Sequence, residues 1–194
     1  MNSLLTTFDT LFETSHEFYT TILKHTILTT SNCERLCYDR MIATQIPLPV
    51  TETDGSTYGK LYLSGRSILQ SQEHFQIQYM VSLMDESVTK LPTIEHDIIP
   101  IDDDTSLDTV VSMNEILNRV IPKIHQYIIQ GKNVGIHCRA GVSRSSTVVI
   151  DYLCTYFFNH DVKNATTHVQ RYRSVICPNV SFFQLLFTRH STQV

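Results

Sequence analysis

Charge of one sign is scarce in this chain of 194 residues: 15 Lys and Arg stand against 19 Asp and Glu, a formal net charge of −4. With a pI near 6.1, the chain carries no field that would gather nucleic acid or an anionic membrane, although one basic loop can still hold an anion locally. No apolar run approaches the roughly 20 residues needed to cross a bilayer. The N-terminus has acidic residues and no basic stretch ahead of an apolar core, so it does not read as a secretory signal. Cysteines are few: Cys33, Cys37, Cys138, Cys154 and Cys177. An odd number without a secretory segment points to reduced thiols, the state of cytosol or nucleus. No second pair at ligand spacing follows Cys33 and Cys37, which argues against a zinc module and leaves two thiols stacked on a helix. Repeats and low-complexity tracts are also missing. What remains, 42% hydrophobic and 18% charged, is the composition of a globular protein, and the length suits one domain with a short extension.

The organising stretch is Val134-Gly135-Ile136-His137-Cys138-Arg139-Ala140-Gly141-Val142-Ser143-Arg144-Ser145. Its apolar start reads as a buried strand, and Ser146 to Leu153 after it as a helix. A strand that turns into a helix aims several backbone N–H groups at one spot, where the helix dipole adds positive potential. That is an anion site before any side chain is counted. Cys138 sits where the loop amides and Arg144 favour a thiolate. The planar fork of Arg144 can hold two phosphate oxygens, and Gly141 lets the loop turn tightly. A nucleophilic sulfur inside a phosphate cradle points to attack on phosphorus.

Ahead of this stretch, Leu4, Leu5, Phe8, Leu11, Phe12, Phe18, Tyr19, Ile22 and Leu23 recur at helical steps and predict a helix over residues 1 to about 30. Its apolar stripe must be covered, either by the chain's own domain or by a second protomer in a homodimer. Pro47, Pro49 and the polar run at 51–56 read as a break from about 44 to 59, with an extension over residues 1–45 and a catalytic domain over 46–194. Strands are expected at 60–65, 77–84 and 95–101, and short helices at 66–74 and about 181–190. A longer helix is expected from Leu107 to Gln130, kinked or split at Pro122 and stopped at Gly131. The helix after the loop is expected to reach Asn159, with Asp161 capping the next one through Arg173. Alternating strands and helices point to an α/β fold: a central, mostly parallel sheet of about five strands with helices on both faces.

The loop His137-Cys138-Arg139-Ala140-Gly141-Val142-Ser143-Arg144-Ser145 resembles the signature of the cysteine-dependent phosphatases in its dual-specificity form. Leu61-Tyr62-Leu63 resembles the strand that opens that domain, with Ser64 as a departure before Gly65. Arg171 to Asn179, followed by Phe182, Phe183 and Gln184-Leu185-Leu186, resembles its C-terminal signature. The likeness covers roughly residues 58 to 190. Ile99-Pro100-Ile101 before Asp102-Asp103-Asp104 resembles the general-acid loop, which makes Asp103 the acid and leaves Asp102 and Asp104 as competitors. The spacing to Cys138 is a few residues longer than the family's. The other reading of these carboxylates is capping of the next helix, a task Asp108 is also placed to do. Three adjacent carboxylates repel, which favours keeping one protonated.

The resemblance implies a phosphoprotein substrate and a phosphocysteine on Cys138. It implies Arg144 and the amides of Arg139, Ala140, Gly141, Val142, Ser143 and Arg144 on the phosphoryl oxygens. Ser145 would donate to the departing thiolate, and His137 and Asn179 would order the loop. No metal or other cofactor is required, because Arg144 and the amides neutralise the oxygens. The small domain implies a shallow pocket open to phosphoserine and phosphothreonine as well as phosphotyrosine. Alternatives on the same fold are a phosphoinositide or RNA 5′-triphosphate phosphatase, or a phosphate-binding scaffold. Cys154 and Cys177 read as buried bystanders.

Overall fold

The computed structural model describes residues 13, 14, 16–22, 43–50, 57–84 and 88–191. Cys33, Cys37 and most of the helix expected over residues 1 to 30 lie outside them. Residues 16–22 are helical and form α1. Five strands follow: β1 Thr44–Ile46, β2 Leu61–Ser64, β3 Ile77–Leu83, β4 Glu95–Ile99 and β5 Asn133–Cys138. They make one sheet in the order β1-β2-β5-β3-β4. β2, β5, β3 and β4 run parallel, and only β1 is antiparallel to its neighbour. The helices are α2 Ile68–Ser71, α3 Leu107–Ile129, α4 Arg144–Tyr156, α5 Val162–Tyr172 and α6 Val180–Ser191. This is the mostly parallel α/β sheet flanked by helices that the strand–helix alternation predicts.

The period of two in the strands sorts side chains between two cores. Tyr79, Val81 and Leu83 of β3 and Val134, Ile136 and Cys138 of β5 face the larger one, which α3 to α6 cover. Met80 of β3 faces the other side, with Tyr62 of β2 and Ile68 of α2, and Ile77 joins them because the register shifts between Ile77 and Tyr79. There Gly135 has a packing reason: an added Cβ would lie 2.9 Å from Met80 Sδ and 3.2 Å from Ile68 Cδ1. The short α2 thus rests against bare backbone. α3 buries Met113, Ile116, Leu117, Val120, Ile121, Ile124 and Ile128, each contributing roughly 2 kcal/mol of hydrophobic stabilisation.

Three expectations are corrected. The stretch read as a break from 44 to 59 contains β1, a sheet edge whose Gln45 pairs with Tyr62. Three residues are too few to show an alternating pattern. α3 runs through Pro122 as one helix. Pro122 and Asn118 lie on its exposed side, where the carbonyl that loses its N–H partner need not be buried, and the buried stripe continues beneath. α4 stops at Tyr156 rather than Asn159. Asn159 and His160 adopt left-handed backbone, with φ of 46° and 64°, and turn the chain toward α5. Asp161 caps that helix as expected, accepting from Asn164 N at 2.9 Å. The described part of α1 is covered by its own chain. The Phe18 ring lies 5.7 Å from Phe183 and 6.3 Å from Phe187, and Tyr19 lies 6.0 Å from Phe183. Among the described residues no helix is long and apolar enough to cross a membrane.

One buried charge ties α4 to α6. Asp151 is fully buried. Its Oδ1 accepts from Arg189 Nε at 3.0 Å and His190 Nε2 at 2.9 Å, and its Oδ2 from Arg189 Nη2 at 3.2 Å. Arg189 Nη1 reaches on to Asn118 Oδ1 of α3 at 2.9 Å. Removing the buried carboxylate leaves a partly buried guanidinium and the His190 ring without their acceptor, so Asp151→Ala is expected to cost about 2–3 kcal/mol in urea unfolding. A loss below about 1 kcal/mol would show that the cluster is solvated.

Candidate active site

β5 lies between β2 and β3, and its last residue, Cys138, is 2% exposed. Residues 139–143 turn the chain and Arg144 opens α4. Gly141 makes this turn possible for two reasons. Its φ is +68°, and an added Cβ would stand 2.5 Å from the Ser64 carbonyl carbon and 2.6 Å from Gly65 N.

Every carbonyl of the loop is held from outside. Arg139 O accepts from Arg66 N at 3.2 Å. Ala140 O accepts from Arg173 Nη2 at 3.3 Å and Gly141 O from Arg173 Nε at 3.0 Å. Val142 O accepts from Cys177 N at 2.8 Å, and Ser143 O from Thr147 N at 2.9 Å. A trans peptide sets its N–H opposite its C=O. Carbonyls pinned outward therefore turn the N–H groups of residues 140 to 144 inward, toward the mouth of α4. The backbone alone builds an anion cradle here.

Cys138 Sγ lies inside it. Gly141 N and Ser145 Oγ each donate to the sulfur at 3.2 Å, contacts that stabilise a thiolate. Arg144 is 5% exposed and donates through Nη1 to Ile101 O at 2.8 Å. Its Nε stands 3.6 Å from Asp103 Oδ2. The cation is thus fixed between the loop and the end of β4.

The three adjacent carboxylates separate by direction. Asp103 Oδ1 accepts from Ser143 Oγ at 2.6 Å and from Asn179 Nδ2 at 2.9 Å. Asp104 Oδ1 turns the other way and accepts from Ser106 N at 2.9 Å and Ser106 Oγ at 2.7 Å. Those bonds hold the Asp104 carboxyl below its ordinary range and support Ser106, whose Oγ caps α3 by accepting from Thr109 N at 3.3 Å. The capping role thus goes to Ser106 with Asp104 behind it, while Asp108 sits in the first turn. Asp102 is exposed. Asn179 also ties the loop to α6. Its N–H donates to Ser143 Oγ at 3.0 Å, and its Oδ1 accepts from Phe182 N at 2.9 Å to cap α6.

His137 is fully buried, with Nδ1 3.3 Å from Cys138 O. Burial pushes its imidazole down to about 4. Cys154 is buried within α4, where burial pushes its thiol up. Cys177 is half-buried, and burial pushes its thiol up. Of the residues singled out in the sequence, Cys138, Arg144, Ser145, Asp103, Ser143 and Asn179 come together here.

Arg173 carries a role that sequence reasoning missed. It is 1% exposed, the largest fully buried side chain among the described residues, and it also donates to Thr44 Oγ1 of β1 at 3.0 Å. The signal was present. Val162, Ala165, Thr166 and Val169 make the buried stripe of α5, and a four-residue step from Val169 lands on an arginine where an apolar residue belongs.

Arg173→Met should release the Ala140 and Gly141 carbonyls. The expected stability loss is about 3 kcal/mol in denaturant unfolding, with weaker binding of inorganic phosphate and vanadate by calorimetry. Unchanged anion affinity would mean that the loop holds its shape without the guanidinium. The His137 ring titrates at an ordinary 6.5 when unfolded and near 4 when folded. Its stability contribution is complete above pH 6.5 and is lost as pH falls toward 4, by about 3 kcal/mol below pH 4. His137→Gln should flatten the unfolding free energy in that window. An unaltered profile would assign the acid loss to other groups.

Comparison with known proteins agrees with this geometry. Residues 61–191 match the dual specificity phosphatase catalytic domain. The 123R protein of Invertebrate iridescent virus 6 is 39% identical over 88 residues, 45% of this chain and 58% of its own. Human dual specificity protein phosphatase 22 is 31% identical over 117 residues, 59% of this chain and 61% of its own. The chain therefore spans less than two thirds of the length of these relatives. The crystal structure of Cydia pomonella PTP-2 phosphatase superposes with a TM-score of 0.57 at 28% identity, covering 76% of this chain and 89% of that one. With the matched domain taking in β2 through α6, this chain belongs to the dual specificity phosphatase catalytic-domain family.

Proposed function

We propose that the protein hydrolyses phosphate monoesters on protein side chains, phosphotyrosine and phosphoserine or phosphothreonine alike, through a phosphocysteine on Cys138. Cys138 Sγ attacks phosphorus in line, and the bond to the leaving oxygen breaks as Asp103 delivers a proton to it. Water then attacks the phosphocysteine while Asp103 takes its proton back. The S–P bond breaks and Ser145 donates to the departing thiolate. Arg144 and the inward amides carry the charge on the equatorial oxygens, so positioning and fixed dipoles supply most of the acceleration. The observation that carries this reading is the ring of outward-pinned carbonyls around a sulfur that already accepts from Gly141 N and Ser145 Oγ. The assignment of the acid is supported by Asp103 alone of the three carboxylates bonding to the loop, through Ser143. Protein substrates are favoured over phosphoinositides or RNA ends by the loop side chains Arg139, Ala140, Val142 and Ser143 and by the family match.

The test is turnover of an aryl phosphate and of phosphotyrosine, phosphoserine and phosphothreonine peptides, beside a phosphoinositide and a 5′-triphosphate RNA. Cys138→Ser should abolish turnover and retain phosphopeptide. Asp103→Asn should lower kcat about 100-fold on peptides. Asp104→Asn should leave kcat nearly intact, since the Asp104 carboxylate bonds Ser106 and not the loop. Equal kcat losses for Asp103→Asn and Asp104→Asn would overturn the assignment of the acid. Wild-type protein inert on every ester would leave a binding module.

A further inference from the structure

Behind the cradle, four hydrogen bonds run in a row through the second core. Leu91 N lies 3.1 Å from His96 Nδ1, and His96 Nε2 lies 2.7 Å from Ser82 Oγ. Ser82 Oγ lies 2.5 Å from His137 Nε2, and His137 Nδ1 lies 3.3 Å from Cys138 O. Ser82 and His137 are fully buried and His96 is 4% exposed. Imidazoles and hydroxyls can face either way, but the two ends cannot. A backbone N–H only donates and a carbonyl only accepts. The Leu91 N–H makes His96 Nδ1 an acceptor, so in the neutral ring the proton is on Nε2 and points at Ser82. The Cys138 carbonyl makes His137 Nδ1 a donor, so Nε2 is bare and the Ser82 hydroxyl points at it. One assignment with two neutral rings satisfies all four bonds.

We propose that Ser82 and His96 are positioning residues, a one-way hydrogen-bond relay that locks the Nδ1–H tautomer of His137 and so fixes the carbonyl of the nucleophile. This rests on the reading of Cys138 as the attacking residue. The relay crosses from β4 through β3 to β5, at strand positions where an apolar side chain would be the cheaper occupant. It ends on the peptide that opens the loop, whose own carbonyls are the next ones pinned. Its outer end reaches solvent. His96 lines a cavity of about 490 Å³ together with Lys90, Asp97, Arg119 and Lys123. Of the charges facing the two rings, Asp97 favours a proton on His96 and Lys90 opposes it, while Arg66 and His96 oppose one on His137. Burial disfavours a proton on both rings: it outweighs Asp97 at His96 and acts with Arg66 at His137. A proton added to His96 would set Nδ1–H against the Leu91 N–H. One added to His137 would set Nε2–H against the Ser82 hydroxyl, whose own hydrogen then has no acceptor in the row. Acid therefore breaks the relay at either end.

Long-range proton–nitrogen spectra of the imidazole-labelled full chain read the tautomers directly. The wild type, at mildly alkaline pH where both rings are neutral, should show His137 protonated on Nδ1 and His96 on Nε2. Ser82→Ala should leave His137 a mixture of tautomers and lower kcat about tenfold with little change in KM. His96→Gln, which keeps a donor toward Ser82, should restore most of the kcat that His96→Leu loses, and should shift the acidic limb of the rate profile. The proposal is overturned if His96 carries its proton on Nδ1, or if Ser82→Ala leaves both tautomer and kcat unchanged. Should a variant fail to fold, the wild-type spectrum decides alone. Correct tautomers in a protein inert on aryl phosphate would sink the phosphatase reading and keep the relay. Wrong tautomers in an active enzyme would do the reverse.

Discussion

Everything at this site depends on where five carbonyl oxygens point. A loop of residues 139–143 could turn its peptides either way, and only one way leaves its N–H groups facing the sulfur. The partners that decide come from four separate parts of the chain. Arg66 follows β2, Arg173 ends α5, Cys177 precedes α6, and Thr147 belongs to α4 itself. Because the cost of unmaking a buried hydrogen bond exceeds the gain of making one, each partner acts mainly by forbidding the wrong peptide orientation. The cradle exists before any anion arrives, which is the condition under which fixed dipoles are most effective.

The same logic explains why one arginine sits inside an apolar stripe. Arg173 joins Ala140 O and Gly141 O to Thr44 of β1. A guanidinium can do this because its five donors lie in one plane. A lysine offers a point charge, and an apolar residue would leave two carbonyls facing a dry interior. The strand missed in the sequence and the arginine missed in the sequence are thus one feature. β1 closes the sheet edge, and its Thr44 receives the far end of the side chain that shapes the loop.

Much of this was legible in the residues alone. The run Val134 to Arg144 shows its strand, turn and helix because apolar period, glycine and helix start all coincide there. Asp161 is readable as a cap because capping is local. Gln45 and its neighbours were not, since three residues carry no period. Nor was the sorting of Asp102, Asp103 and Asp104. Adjacent carboxylates have the same chemistry, and the distant Ser143 and Asn179 draw Asp103 one way while the neighbouring Ser106 draws Asp104 the other. The continuity of α3 through Pro122 turned on which side of the helix the proline faces, a tertiary fact. Ser82 and His96 lay unnoticed in apolar strands because a lone polar residue there has no meaning until its cross-strand partner is known.

α4 is the element on which these arrangements converge. Its N-terminal end is held by the loop, whose carbonyls are tied to α5 and to the segment before α6. Its middle is held by Asp151, bonded to Arg189 and His190 of α6. Its dipole can stabilise an anion at the cradle only if the helix cannot swing or slide. Two buried polar clusters a few turns apart on one helix fix both. Asp151 lies far from any reacting atom, yet it bears on the chemistry for that reason: it holds in line the helix whose first amides face the sulfur.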